Sequence, residues 1–261
     1  MSLKDKVTVI TGGSRGIGES IVRVFLREGA RVVFTNPNEQ NGVAMMKALE
    51  KEGLAKNARY CKADISKEAD VQALVAFVTK TFGDCEVLCN NAGIFVGGAA
   101  HETSLEDWNR LFAVNVTGLY LCCKHFIPAM LKNKKGAIVN TSSISGMLGE
   151  YNMAAYCATK GAVGNLTRAM ALDYADCGIR VNAVCPGATK TPMFMTGTSP
   201  ALMKRFEAVF PPRRIGLPEE VAEAIAFLAS DNASFINGVL LPVDGGISAH
   251  SGQPRQDKNE G

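Results

Sequence analysis

Val7-Thr8-Val9-Ile10-Thr11-Gly12-Gly13-Ser14-Arg15-Gly16-Ile17-Gly18 runs from a β-branched stretch through a glycine-rich turn into the start of a helix. The run Val7–Thr11 is bulky throughout, which predicts a strand buried on both faces. Ile17, Ile21, Val24 and Phe25 recur at helical spacing and predict a helix over 17–27. Glycines between the two let backbone approach a pyrophosphate, and the helix start turns N–H groups and a positive dipole end toward it. The spacing departs from the usual G-x-G-x-x-G, because three residues separate Gly12 from Gly16.

The same alternation continues outward. Apolar runs at 31–35, 59–62, 87–90, 136–141, 180–185 and 239–243 read as strands. Amphipathic stretches at 42–52, 67–82, 105–131, 153–174 and 218–229 read as helices between them. Strands without polar alternation, separated by helices, predict an α/β fold. The expected form is a single doubly wound, Rossmann-like domain over 1–250, with a seven-stranded parallel sheet covered on both faces and ligands at the carboxyl ends of the strands. A polar tail, 251–261, is expected to be mobile.

Composition narrows the function classes. The chain has 261 residues, 47% hydrophobic and 20% charged, with a net charge of +3. No stripe of Lys/Arg interleaved with aromatics argues for nucleic acid. No apolar run approaches the ~18 residues of a membrane span, and no room is left for a signal peptide before Val7. Eight cysteines, mostly inside apolar runs and without a C-x-x-C, predict reduced core thiols and a cytoplasmic location. His101, His125 and His250 are scattered, and no metal site is expected.

Tyr156 and Lys160 stand four apart in Ala154-Ala155-Tyr156-Cys157-Ala158-Thr159-Lys160, on one face of the expected helix. A free phenol titrates near ~10 and is a poor acid or base at neutrality. A nearby ammonium stabilises phenolate and draws that value down, which makes the pair a usable general acid/base.

With these motifs in order, the chain resembles the short-chain dehydrogenase/reductase family, in its branch of about 250 residues. The resemblance runs from Lys4 to about Ile247. It rests on T-G-G-S-R-G-I-G at Thr11–Gly18, N-N-A-G at Asn90–Gly93, Asn115 within V-N-V-T-G, Ser143 within N-T-S-S-I-S-G, the Tyr156/Lys160 pair, and Pro186-Gly187. It implies an NAD(P)-dependent oxidoreductase acting on CH–OH groups, interconverting a secondary alcohol and a ketone. Tyr156 would move the proton, and Lys160 would lower its pKa and hold the nicotinamide ribose. Ser143, thirteen residues before Tyr156, would hold the substrate oxygen, with Ser142 turned to the other face. Asn115 would stabilise a helix kink and hold a water relaying protons to Lys160. Enoyl reductases of this fold space their Tyr and Lys more widely.

The resemblance also implies the cofactor contacts: Gly12, Ser14, Arg15, Ile17 and Gly18 around the phosphates and adenosine ribose, Asp64 and Ile65 at the adenine, Asn91, Ala92 and Gly93 along the ribose, and Pro186, Gly187 and Thr191 near the carboxamide and pyrophosphate. Asn36 takes the place of the acid that repels a 2′-phosphate, Arg15 could bind one, and no basic residue follows Asn36. The balance leans to NADP. Residues 188–217 would form a substrate lid whose Met193, Phe194, Met195, Met203, Phe206 and Phe210 suit an apolar substrate, or else pack against the protein or a neighbouring subunit. Phe95, Val96, Met147, Leu148, Tyr151 and Met153 would line the same pocket, with Glu150 meeting a polar end of the substrate or solvent. A hydroxysteroid or other apolar secondary alcohol is the favoured substrate class. A 3-oxoacyl-[acyl-carrier-protein] reductase-like ketoreductase is the alternative, and a catalytically silent cofactor sensor the second. The 105–131 and 153–174 helices are apolar over more than one face, which points to a homotetramer, with a dimer second.

Overall fold

Seven strands order themselves as β3-β2-β1-β4-β5-β6-β7, every neighbouring pair parallel. The computed structural model describes residues 3–251 and 253. Of the tail expected to be mobile, all but Ser251 and Gln253 lies outside the described residues. The strands are β1 (Val7–Thr11), β2 (Arg31–Asn36), β3 (Ala58–Lys62), β4 (Val87–Asn90), β5 (Gly136–Thr141), β6 (Ile179–Pro186) and β7 (Leu240–Val243). The longer helices are α1 (Gly16–Arg27), α2 (Glu39–Lys51), α3 (Glu68–Phe82), α4 (Leu105–Phe112), α5 (Leu119–Asn133) and α6 (Ala154–Asp173). They are followed by α7 (Pro192–Met195), α8 (Pro200–Val209) and α9 (Pro218–Ala229).

Both faces of the sheet are apolar because alternate side chains serve different layers. On β1, Ile10 joins the core beneath α1 and α9, while Val7 and Val9 join the core beneath α3, α5 and α6. On β5 the same split places Ala137 and Val139 on the first side and Ile138 on the second. Fully burying each such Val, Leu or Ile contributes about 1.5–3 kcal/mol, so neither face of a central strand tolerates a polar residue without a partner. Strand order reverses between β1 and β4. The loops after these two strands therefore diverge and leave a crevice at their carboxyl ends.

The long helix expected over 105–131 is present and runs two residues further, to Asn133. A six-residue π-helical turn, Ala113–Gly118, joins α4 to α5, so 105–133 forms one helical body of 29 residues. By length and composition alone that body could cross a membrane, with a mean hydropathy of 1.2 in its most apolar window. Half of that window is buried within the fold, and Leu119, Cys122, Phe126 and Met130 belong to the core. Its apolar character is interrupted by Lys124, His125 and Pro128.

Candidate active site

The turn after β1 has the conformation its glycines suggest. Gly12 and Gly16 sit at φ +67° and +59°, where a side chain would be strained. A Cβ on Gly12 would lie 2.9 Å from the Ala92 Cα, so the turn presses against the loop after β4. Thr11 fastens the two together: its Oγ1 accepts from the N–H groups of Asn91 and Ala92, both at 3.0 Å. Asn91 Nδ2 returns a bond to the Thr11 carbonyl at 3.2 Å. Thr11 begins the glycine motif yet carries a structural task that its place in the motif does not announce.

Two observations show that this turn suits an anionic group. Ser14 Oγ is buried with no protein partner, which is costly unless a ligand or water takes it. Arg15, the residue preceding α1, makes no side-chain cap, so the first N–H groups of the helix remain available. Thr191 lies over the same turn, its side chain 3.3 Å from where a Gly16 Cβ would stand. Pro186 is buried at the end of β6, and Gly187 follows it. Ile17 packs partly buried at the start of α1. Asp64 is less free than expected: its Oδ1 accepts from the Ser66 N–H and hydroxyl at 3.1 and 2.7 Å, and Ile65 is buried. The residues gathered here fit a nicotinamide dinucleotide in donor type and in close backbone approach.

At the end of β2, Asn36 is 9% exposed and its Oδ1 accepts from the Asn38 N–H at 2.8 Å. No basic residue follows it in sequence, but β3 supplies one across the ladder. Lys62 is the register partner of Asn36, and its ammonium pairs with Glu39 at 3.1 Å. A neighbour of this kind is set by strand pairing, which sequence order does not display.

β5 and α6 bring the proposed chemistry together. Ser143 follows β5 and is 8% exposed, while Ser142 points away and donates to the Lys160 carbonyl at 2.9 Å, as strand alternation requires. The Lys160 ammonium lies 5.7 Å from the centroid of the Tyr156 ring, within cation–π range. It donates to the Thr141 carbonyl at 2.8 Å. Phe95 meets the Tyr156 ring edge-on, with centroids 5.3 Å apart. Asn115 occupies the π-helical turn, the kink anticipated for it. Its Oδ1 accepts from the Ile94 N–H at 2.8 Å, and its Nδ2 donates to Ile94 O at 3.0 Å and to Thr159 Oγ1 at 3.2 Å. The widened turn thus ties the loop after β4 to α6. Gly93 completes the corner: a Cβ there would lie 3.3 Å from Asn115 Oδ1 and 3.6 Å from Lys160 Nζ.

The electrostatics differ from the sequence argument. Burial pushes the Tyr156 phenol above its ordinary value, the Glu150 carboxylate adds to the rise, and a hydrogen bond with Ser143 opposes it. Burial also pushes the Lys160 ammonium down to about 8. Counting only the cation omits the desolvation that both groups undergo on folding. Between pH 8 and the ordinary lysine value the unfolded chain binds the extra proton, so stability rises with pH across that window. Lys160→Met keeps the length and removes a buried charge. Relative to its standing at pH 10.5, the variant is expected to gain on the order of 3 kcal/mol at pH 7 against the parent, while the lost bond to the Thr141 carbonyl costs it about 1–3 kcal/mol at every pH. Melts from pH 7 to 10.5 check this, since the advantage must shrink as pH rises.

The substrate side is open. Met147 and Leu148 are exposed, Met193 is half exposed, and Tyr151 is 98% exposed in the turn before α6. Among the described residues, nothing packs over the Tyr151 side chain. Phe194, by contrast, packs edge-on against Phe206 at 4.9 Å, and Phe206 reaches Phe210, which is buried. The Met/Phe segment over 188–217 thus forms α7 and α8 with a small aromatic cluster of its own.

Known proteins carry the same outline. The family model described as enoyl-(acyl carrier protein) reductase matches residues 12–248. Meso-2,3-butanediol dehydrogenase of Serratia marcescens is 44% identical over 255 residues, covering 98% of this chain and 99% of that protein. 3beta-hydroxysteroid dehydrogenase 1 of Eggerthella lenta is 40% identical over 253 residues, 96% of each chain. The crystal structure of 3-ketoacyl-(acyl-carrier-protein) reductase from Brucella melitensis complexed with NADH superposes with a TM-score of 0.89 at 37% identity, covering 95% of this chain and all of that one.

Proposed function

The chain belongs to the short-chain dehydrogenase/reductase family, and on that premise we propose that Ser143, Tyr156 and Lys160 perform its chemistry. The protein is an NAD(P)-dependent oxidoreductase that interconverts a secondary alcohol and a ketone. A bound nicotinamide supplies the hydride acceptor or donor. Tyr156 moves the proton at its phenolic oxygen, Ser143 holds the substrate oxygen beside it, and Lys160 approaches from behind the ring. Asn115 positions Lys160 by holding the loop after β4 against α6. Gly12, Ser14, Arg15, Ile17 and Gly18 hold the phosphates, with Asp64, Ile65, Asn91, Ala92, Gly93, Pro186, Gly187 and Thr191 along the rest of the dinucleotide. The observation that carries this reading is the gathering of Ser143, the Tyr156 ring and the Lys160 ammonium at the strand ends, next to a glycine turn with an orphaned hydroxyl. The intact Ser/Tyr/Lys set argues against a silent sensor.

For the substrate we infer an apolar secondary alcohol, of which hydroxysteroids are the favoured class. The exposed Met147, Leu148 and Met193 supply pliable apolar surface at the mouth. The likeness to the Brucella reductase supports 3-oxoacyl reduction as the second reading. Tyr156 and Lys160 are one turn apart, which speaks against enoyl reduction despite the description of the family model. A panel of steroidal, cyclic and short-chain alcohols with matching ketones, followed at the reduced-nicotinamide absorbance, tests the class. Turnover of 3-oxoacyl thioesters alone would select the second reading.

NADP(H) is accepted in this reading, because Asn36 brings no charge against a 2′-phosphate and Arg15 is a cation in the turn after β1 that could bind one, the Lys62 ammonium being paired with Glu39. Asn36→Asp is expected to lower kcat/KM for NADP at least about tenfold relative to NAD. An unchanged ratio would remove Asn36 from cofactor choice. Leu105, Trp108, Tyr120 and Leu172 expose apolar surface on α4, α5 and α6, which supports a homotetramer, with a dimer second. The eight free cysteines support a cytoplasmic location.

A further inference from the structure

Two threonines on α6, Thr159 and Thr167, are fully buried. Each hydroxyl donates to a carbonyl of its own helix, Thr159 to Tyr156 O and Thr167 to Val163 O, both at 2.8 Å. A hydroxyl carries one proton, so toward any other neighbour each can only accept. Each accepts from an asparagine amide: Thr159 from Asn115 Nδ2 at 3.2 Å, Thr167 from Asn140 Nδ2 at 2.9 Å. The two clamps are alike in chemistry and differ in where they lead. Asn140 stands on β5, and its Oδ1 accepts from Asn90 Nδ2 on β4 at 3.0 Å, so Thr167 pins the middle of α6 to the centre of the sheet. Asn115 stands in the π-helical turn and holds both polar groups of the Ile94 backbone. Thr159 therefore pins the Tyr156 end of α6 to the loop after β4.

We propose that Thr159 is a positioning residue for the reaction: its hydroxyl fixes the Asn115 amide, and through it the Gly93–Ile94 backbone, in register with Tyr156 and Lys160. The proposal rests on the roles given to Tyr156 and Lys160 above. Thr159 is fully buried, so it acts through the groups it holds and not on the reacting atoms.

The count of donors and acceptors at this corner is closed. The Asn115 amide has two protons, one on Ile94 O and one on Thr159 Oγ1, and its oxygen takes the Ile94 N–H. Without the threonine hydroxyl, one proton of a buried amide has no acceptor, a cost that draws the amide away from its present pose. That movement reaches the site directly. A Cβ on Gly93 would lie 3.3 Å from Asn115 Oδ1 and 3.6 Å from Lys160 Nζ, so the amide and the ammonium flank the same stretch of backbone. On the helix side, the carbonyl that Thr159 grips belongs to Tyr156, and within α6 that carbonyl also faces the Lys160 N–H. One hydroxyl thus joins the loop to the acid/base pair. A misplacement of about 1 Å between reacting groups costs on the order of 10²-fold in rate. Thr167 joins α6 to strands alone, so its loss weakens packing without disturbing this register.

The test uses the full chain with an alcohol that turns over, well below the melting temperature of each variant. Thr159→Val keeps the shape and removes the hydroxyl. It is expected to lower kcat about 10- to 100-fold, with cofactor Kd within about threefold. Thr159→Ser keeps the hydroxyl and should hold kcat within about threefold of the parent. Thr167→Val should lower Tm yet keep kcat within about twofold, which separates register from packing. If Thr159→Val does not fold, Thr159→Cys, small and weak in hydrogen bonding, carries the same expectation. Parental kcat in the hydroxyl-free variant would overturn the proposal. So would a Thr159→Ser variant as slow as Thr159→Val, or a Thr167→Val variant that loses as much kcat as Thr159→Val. Tyr156→Phe keeps the two readings apart: if it turns over freely, the role of Tyr156 itself has failed, whereas an inactive Tyr156→Phe beside a fully active Thr159→Val rejects the positioning role alone.

Discussion

Tyr156→Phe is expected to lower kcat by about 10²–10⁴-fold, the range a positioned general acid or base supplies, while leaving the fold and cofactor affinity nearly unchanged. Only one oxygen is removed. The ring remains to meet Phe95 edge-on, and the Lys160 ammonium keeps its bond to the Thr141 carbonyl. The protein loses one hydrogen bond, that with Ser143, and Ser143 keeps Ser145 as a partner. Stability should thus move by no more than about 1 kcal/mol. Initial rates with saturating cofactor, a cofactor titration and a thermal melt check the three parts separately. A phenylalanine variant that oxidises alcohols as fast as the parent would refute the proton-moving role of Tyr156.

Gly18→Ala is expected to be the most damaging small change in the cofactor site. A Cβ at Gly18 would lie 2.1 Å from the Gly12 carbonyl oxygen and 2.6 Å from Asn91 Nδ2. The first contact is with backbone, so no rotamer relieves it, and α1 must move away from the turn after β1. That movement also pulls on Asn91, whose Nδ2 bonds the Thr11 and Gly12 carbonyls at 3.2 and 3.4 Å. Overpacking of this kind costs about 1–3 kcal/mol or more, or roughly 2–12 °C in Tm. Cofactor affinity should fall at least about a hundredfold, because the N–H groups of α1 and the Ser14 hydroxyl shift together. A melt and a cofactor titration read the two effects, and parental affinity in the variant would show that the turn is not a phosphate cradle.

Much of this was legible in the residues. Val7–Thr11 carries bulky residues on both faces, so its burial between two helix layers follows from composition alone. Tyr156 and Lys160 share a helical face by their spacing, and the parity of Ser142 and Ser143 follows from a strand's alternation. What sequence order hides is set by the fold. Lys62 meets Asn36 only through the β2–β3 register. Thr11 clamps the loop after β4, some eighty residues further on. The Ser145–Glu150 bond depends on the turn that precedes α6. The shifted pKa values of Tyr156 and Lys160 depend on burial, which a helical spacing does not report. The long helical body over 105–133 was legible, but the π-helical turn at Ala113–Gly118 within it was not, because a widened turn leaves the helical spacing of apolar residues nearly unchanged.

The central claim is that hydride leaves a CH–OH carbon for the nicotinamide while Tyr156 handles the proton. A secondary alcohol carrying deuterium on its carbinol carbon tests it in a single turnover with excess enzyme. The account expects one equivalent of ketone, one of reduced nicotinamide, and the deuterium on nicotinamide C4. Deuterium released into water instead, with ketone still formed, would contradict it.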